Sequence, residues 1–301
     1  MVVDGSSYTH EPVLVSEVVR VLSALPRGSL IVDCTLGKGG HSMALLERGY
    51  RVLGIDRDVD AVSAARENLK QFRGMEYVHG NFVNLRRILD DFGVGMADGI
   101  LVDLGVSTFQ LEDEARGFGF RGPLDMRMDQ TQELTAETVV NTYSEDELSR
   151  VLFEFGEKRF ARRIAHAIVE HRREAPIQGG EELLQIVEES MPARYRFSRL
   201  HHWATPAFRA IRMEVNKDLD NLEKLLHSFP ESLRQGGIMV VISFHSMEDR
   251  IVKHRFRELE LRGVVRVLTK KPVVAGQEET LRNPKSARAK LRAIEKLPQQ
   301  S

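Results

Sequence analysis

The sequence predicts an α/β protein: a parallel sheet covered by helices on both faces and interrupted by an all-helical insertion. Three observations carry that expectation. From Val13 to about residue 105, short apolar runs alternate with helical segments, the rhythm of strand–helix–strand crossovers. From Val106 to about residue 212 the rhythm stops and only helical periodicity remains. It then resumes with a long helix, the Gly236–Gly237 stop and the strand "IMVVISF".

In order, "VLVSEVVRVLSAL" reads as helix, "SLIVDC" as strand, "HSMALLERG" as helix and "YRVLGIDRD" as strand. Then come helix "VDAVSAARENLKQF", strand "MEYVHGNF", helix "LRRILDDFG" and strand "ADGILVDLG". The insertion opens on the Gly/Pro-punctuated loop "RGFGFRGPLDMRMD", whose Phe118 and Phe120 suit a lid. The helical segments "TAETVVNTY", "EDELSRVLFEFG", "KRFARRIAHAIVEHRR" and "GEELLQIVEESM" follow. After the insertion, "EVNKDLDNLEKLLHSFPESL" and "SMEDRIVKHRFREL" are helices and "VVRVLTKKPVV" is strand-like, while the basic last twenty residues read as a tail or a final edge strand. The expected domains are 1–110 with 213–301, and the insertion 111–212.

At 301 residues, with 42% hydrophobic and 29% charged, the chain is long enough for a sizeable core. It has no run of 18 apolar residues and no basic-then-apolar leader, so the expectation is a cytoplasmic protein without a membrane span. The single cysteine, Cys34, excludes an internal disulfide and any paired-cysteine zinc site; no histidine cluster has metal-ligand spacing, and no metal is expected. The net charge of −1 hides a polarity, because residues 1–150 carry 15 Lys+Arg against 24 Asp+Glu and the remainder 28 against 20. Such a chain can present a basic face to a polyanion, or its halves can neutralise each other.

In open parallel sheets ligands bind beyond the carboxyl ends of the strands, and the first strand-to-helix turn is the usual contact. Here that turn is "DCTLGKGGHS". A dinucleotide fingerprint needs glycine where Ser42 stands, and a P-loop needs G-x-x-x-x-G-K-[ST], so both phosphate readings weaken. What remains is a tight turn with Asp33 at the strand end and Asp56 at the end of the next strand, an acid placed for two ribose hydroxyls. That combination favours an adenosine ligand without pyrophosphate, such as S-adenosylmethionine, over NAD; the plainer alternative is a glycine turn and nothing more. Phe82 and Asp103 end the third and fourth strands, Phe82 as an adenine neighbour or a core residue, Asp103 as a carboxylate facing a cofactor or a substrate amine. "ISFHSMEDR" puts His245, Ser246, Glu248 and Asp249 on the same rim. For Ser246 and Glu248 the plain reading is capping with serine as N-cap, and for His245 a structural histidine stands against a substrate contact.

In "KRFARRIAHAIVEHRR", Arg159, Arg162, Arg163 and His166 fall at i, i+3, i+4 and i+7, opposite an apolar face of Phe160, Ile164 and Ile168. One basic helix face is usually only solvated. Several basic segments together, among them Lys253, Arg255 and Arg257 and the stretch from Arg282 to Arg292, favour a phosphate backbone as partner.

Together, "HEPVLVSEVV", "DCTLGKGGHS", "GIDRD", "DGILVDLGVS", "ARGFGF", "GPLDMRMD", "GEKRFARRIAHAIV", "AIRMEVNKDL" and "ISFHSMEDRIVK" resemble, in order and spacing, the bacterial MraW-like family of ribosomal RNA small-subunit methyltransferases, which modify the N4 amino group of a cytidine. The resemblance implies a Rossmann-like seven-stranded sheet of the S-adenosylmethionine-dependent methyltransferase type with a helical insertion that recognises substrate. It implies S-adenosyl-L-methionine as donor and 16S ribosomal RNA in the assembled small subunit as substrate, and leaves a homodimer open. It carries cofactor contacts onto Gly39, Gly40, His41, Asp56, Phe82, Asp103 and Gln110. Asp103 is then also the acceptor that would draw on the cytosine amino group, and Arg159, Arg162, Arg163 and His245 are the candidate substrate contacts. The chain departs from the family pattern in a shorter "GFGFRGPLD" loop, in "HHWATPAFRAIR" at Pro206 and Arg209, and in "NPKSAR". Methylation of another substrate and a non-catalytic ribosome assembly factor are the alternatives.

Overall fold

The computed structural model describes residues 12–156, 158–192 and 201–298. These form two compact units, one of Met1–Gly105 with Asp220–Ser301 and the other of Val106–Leu219.

The first unit is built on a seven-stranded sheet of order β3-β2-β1-β4-β5-β7-β6. Its strands are β1 (Leu30–Asp33), β2 (Arg51–Asp56), β3 (Met75–His79), β4 (Ala97–Asp103), β5 (Leu233–Ser243), β6 (Val265–Val267) and β7 (Lys290–Lys296). The first five run parallel, and β7 runs antiparallel to both β5 and β6. Alternation along the strands sorts side chains to two faces. On one face Leu30, Val32 and Cys34 of the β1 segment, with Ile100 and Val102 of β4, pack with α4 (Leu85–Asp91), α11 (Asp218–Ser232) and α12 (Ser246–Leu261). On the other, Ile31 and Leu101 pack with α1 (Val15–Leu22), α2 (Gly40–Glu47) and α3 (Val59–Asn68). A sheet covered on both faces is why the central strands read as continuous apolar runs.

One expectation needs correction here. The strands read over residues 13–105 are parallel as expected, but the basic carboxyl-terminal stretch is neither a tail nor an edge strand. β7 lies between β5 and β6 with most of its residues buried. Its cations have partners that make the interior position tolerable: Arg292 pairs with Asp249 (2.6 Å), and the Lys296 ammonium donates to the carbonyls of Pro230 and Leu233.

The second unit holds α5 (Thr108–Glu112), α6 (Ala136–Thr142), α7 (Glu145–Phe155), α8 (Ala161–Arg172), α9 (Gly180–Ser190) and α10 (His201–Asn216) around one apolar core, and no strand is formed among its described residues. The division falls after Gly105 and early in α11, not after residues 110 and 212, because α10 packs along its length on α6, α7 and α9. The "GFGFRGPLDMRMD" loop is not built as a lid. Phe118 is buried in this core, and the Phe120 ring meets Phe208 edge-on at 4.8 Å. The Arg116 guanidinium donates to the carbonyls of Arg127 and Met128, and the Asn216 amide binds Met126 O and Met128 N–H. Gly117, at φ +67°, is required there, since a Cβ would stand 1.9 Å from Pro123 O.

Pro230 inside α11 explains a contact across the first unit. A proline has no N–H for the carbonyl four residues back, so Leu226 O loses its helical partner. Arg255 of α12 supplies the missing donor through Nε at 3.0 Å. Removing that donor leaves a part-buried carbonyl unsatisfied, at a cost of about 1–2 kcal/mol. Arg255→Ala is therefore expected to destabilise the protein by about that amount, and by clearly less in a Pro230→Ala background, where the new N–H can reach Leu226 O. Urea unfolding of the four proteins in this cycle checks it; equal losses in both backgrounds would refute the substitution of one donor for the other.

Candidate functional site

The turn after β1 is the centre of the site in the first unit. Gly37 and Gly39 take φ of +52° and +85°, and Gly39 is the N-cap of α2. A Cβ on Gly39 would meet Leu69 Cδ1 at 2.6 Å, and one on Gly40 would meet Pro12 Cγ at 2.8 Å, so both positions need glycine for space, and Gly39 also for its φ. The turn is tied to the strands on either side of β1. Gly37 N–H donates to Asp56 Oδ2 at 2.8 Å, and the Thr35 hydroxyl oxygen accepts from the Asp103 N–H at 2.6 Å. Ser42, in place of a third glycine, donates its hydroxyl to Asp33 Oδ2 at 2.7 Å.

Three carboxylates therefore converge at the carboxyl ends of β1, β2 and β4. Each is pushed up to about 6, chiefly by burial. For Asp33 the bonds from Ser42 and the Thr35 N–H oppose the rise, and for Asp56 the N–H groups of Asp58 and Gly37 do so. For Asp103 the nearby His41 opposes it, while the Asp33 and Glu248 charges add to it. Asp56 is half-buried, and each of its oxygens takes one backbone N–H, leaving acceptor capacity toward a ligand. Asp103 Oδ1 is buried and has no hydrogen-bond partner. An orphaned carboxylate oxygen at a strand end is an acceptor site waiting for a donor.

His41 is buried on α2, with Nε2 2.9 Å from Val13 O and Nδ1 3.8 Å from Asp103 Oδ2. A carbonyl can only accept, so Nε2 carries hydrogen and Nδ1 is the nitrogen presented to Asp103. The Val13–Leu14 segment is itself held under strain: Leu14 sits at φ +57°, and its N–H donates to Glu279 at 2.7 Å, from α13 (Gln277–Arg282). Neither Thr35 nor Glu279 was flagged by sequence reasoning. A threonine two residues past a strand carries no distinguishing signal, and Glu279 reaches Leu14 from the far end of the chain.

Of the other expected contacts, Phe82 opens a short 3₁₀ turn and is 8% exposed within the apolar cluster beneath it. His245 is the N-cap of α12, and its backbone N–H donates to the buried Glu248 at 3.0 Å. The expectation of Ser246 as N-cap is thereby corrected, since Glu248 at the third helical position reaches back one residue further. Gln110 and the three arginines belong to the second unit. The side-chain oxygen of Gln110 accepts from Ser107 N–H in the capping box of α5. Arg162 and Arg163 are exposed on α8, but Arg159 precedes that helix, in the turn before its N-cap Phe160, and its guanidinium lies 5.3 Å from the Phe160 ring centroid. The expected four-residue stripe is thus broken, and its last member, His166, faces Glu145 at 3.2 Å.

Residues 7–297 match the sequence model of the MraW methylase family. The chain is 44% identical over 297 residues to the Ribosomal RNA small subunit methyltransferase H of Kosmotoga olearia, covering 96% of this chain and 98% of that protein. It is 45% identical to the protein of the same name from Pseudothermotoga lettingae, over 95% and 98% of the two chains. The corresponding Clostridium botulinum (strain Kyoto) protein is 41% identical over 96% and 99%.

The raised carboxylates make a signed prediction for the ligand-free protein. A folded-state value near 6 against 3.8 unfolded means that the stabilising contribution is complete below pH 4 and is lost as pH rises through 6. Asp103→Asn removes that titration, so the variant is expected to gain about 1–3 kcal/mol over the parent at pH 8 relative to the difference between them at pH 4. Paired thermal unfolding at the two pH values measures this difference. A gap that does not widen with pH would mean that Asp103 is not held in an unfavourable environment.

Proposed function

The chain belongs to the MraW methylase family, and from that premise we propose that it transfers the methyl group of S-adenosyl-L-methionine to the N4 amino group of a cytidine in 16S ribosomal RNA, within the assembled small subunit. The reaction belongs to the cytoplasm, where subunits are assembled; among the described residues no helix is long and apolar enough to cross a membrane. The observation that carries this reading is the set of acceptors around the glycine turn. The half-buried Asp56 carboxylate suits two ribose hydroxyls, the tight positive-φ turn at Gly37 and Gly39 leading into Gly40 suits the methionine end, and the orphaned Asp103 oxygen suits an amine.

The bound donor supplies a sulfonium whose methyl carbon is already electrophilic, so the protein's task is alignment. The exocyclic nitrogen of cytosine is a poor nucleophile because its lone pair is delocalised into the ring. Asp103, ionised above a pH of about 6, accepts one amino hydrogen and favours pyramidalisation of that nitrogen. His41, its Nε2–H given to Val13 O, stands beside the same carboxylate with Nδ1 3.8 Å from Oδ2. Gln110 and Phe82 complete the cofactor contacts that family resemblance assigns. The helical unit recognises the RNA, with Arg162 and Arg163 as its exposed cations, and His245 stands on the rim of the first unit. A cytidine in folded RNA has to be splayed out to reach Asp103.

Two measurements test this reading. Incubation with the cofactor and small subunits is expected to yield N4-methylcytidine at one position, read by mass spectrometry of digested RNA; intact cofactor binding with no methylated cytidine would overturn the substrate. Asp56→Ala is expected to weaken cofactor binding tenfold or more in a calorimetric titration, about 1.4 kcal/mol. Unchanged affinity would remove Asp56 from the ribose.

A further inference from the structure

We infer that the outer face of α12 is the surface in the first unit that grips the phosphate backbone of the RNA. Arg250, Lys253, His254 and Arg257 stand at i, i+3, i+4 and i+7, so they form one stripe two turns long, and all four are exposed. None of them has an ion-pair or hydrogen-bond partner among the described residues.

The acids on the helix are already committed. Asp249 is taken by Arg292 and Lys290, Glu258 by Arg255 and Arg262, and Glu260 by the Val267 N–H. Glu248 accepts from the N–H groups of Phe244 and His245. The same helix therefore neutralises its inward cation, Arg255, and leaves its outward cations bare. Helix stability does not account for this, because like charges three and four residues apart repel. A bound polyanion offsets that repulsion.

Position supports the same reading. α12 leaves the carboxyl end of β5, whose Ile242 pairs with Asp103 of β4, so the stripe begins about one turn from the rim where the acceptor base must arrive. A backbone flanking a splayed nucleotide would run outward along it. By contrast, the α8 face that the sequence favoured is interrupted at Arg159 and partly neutralised at His166.

This assignment rests on the RNA substrate proposed above, and its test separates the two. The affinity of the full-length protein for small subunits and for protein-free small-subunit RNA is measured across a potassium chloride series, with cofactor binding and thermal unfolding as controls. For the parent protein a steep negative slope of log K against log salt is expected; a flat one would overturn the RNA reading itself. The variant with Arg250→Ala, Lys253→Ala and Arg257→Ala is expected to lose about 2 from the magnitude of that slope, at ~0.7 per phosphate contact on single-stranded RNA. Lys253→Ala alone is expected to lose about 0.7 and serves if the triple variant does not fold. Arg250→Lys with Arg257→Lys should keep the parent slope. A steep parent slope left unchanged by the alanine variants would show a merely solvated face. Loss of binding to whole subunits with unchanged binding to protein-free RNA would assign the stripe to a ribosomal protein, and would equally overturn the inference.

Discussion

The structure of the first unit depends on how the turn after β1 is fastened. Two hydrogen bonds, Gly37 N–H to Asp56 and Asp103 N–H to Thr35, lock it to the ends of β2 and β4. They hold a segment with two left-handed glycines in register with the sheet, and they draw the carboxylates of Asp33, Asp56 and Asp103 into one partly dry rim. The fastening and the electrostatic cost are one arrangement, since the residues that pin the turn are among those forced to carry charge out of water. Local stability alone would select neutral groups here. Acids with spare acceptor capacity are what a site for hydroxyl and amino donors requires.

The two ends of the described chain reinforce that rim from outside. Glu279 holds Leu14 in a left-handed conformation, Pro12 lies against Gly40, and Val13 O selects the tautomer of His41. A fully buried leucine with positive φ is costly, of the order of 1–3 kcal/mol, and the backbone bond to Glu279 offsets part of that. The outcome is that the nitrogen facing Asp103 is chosen by a backbone carbonyl 28 residues earlier in sequence. The surroundings of the Asp103 carboxylate are thus coupled to packing at the amino-terminal segment.

Strands β1, β2, β4 and β5 were legible because they are buried and read as apolar runs, and β1, β2 and β4 each end in an acid of the rim. Asp56 and Asp103 stood out for the same reason, as carboxylates that close apolar strands. β7 was less legible, since Lys290, Arg292 and Lys296 disguise it, and only the structure provides Asp249 and two carbonyls as their partners. The Phe118–Phe120 loop misled because glycines and aromatics at a boundary suit a lid as well as a core, and the deciding groups, Arg116 and Asn216, lie far apart in sequence. In the basic helix the periodicity extends past the regular helix itself, since Arg159 lies in the turn before the N-cap Phe160.

Charge distribution sets a further constraint on how the two units divide the work. Residues 106–219 carry a net −4 and residues 220–301 a net +6, so the basic surplus in the second half of the sequence resides mostly outside the helical unit. Long-range attraction of a polyanion follows summed charge, whereas choice of site follows individual contacts and shape. The carboxyl-terminal part of the sheet unit, with the unpaired stripe on α12, is therefore suited to draw in and hold a phosphate backbone.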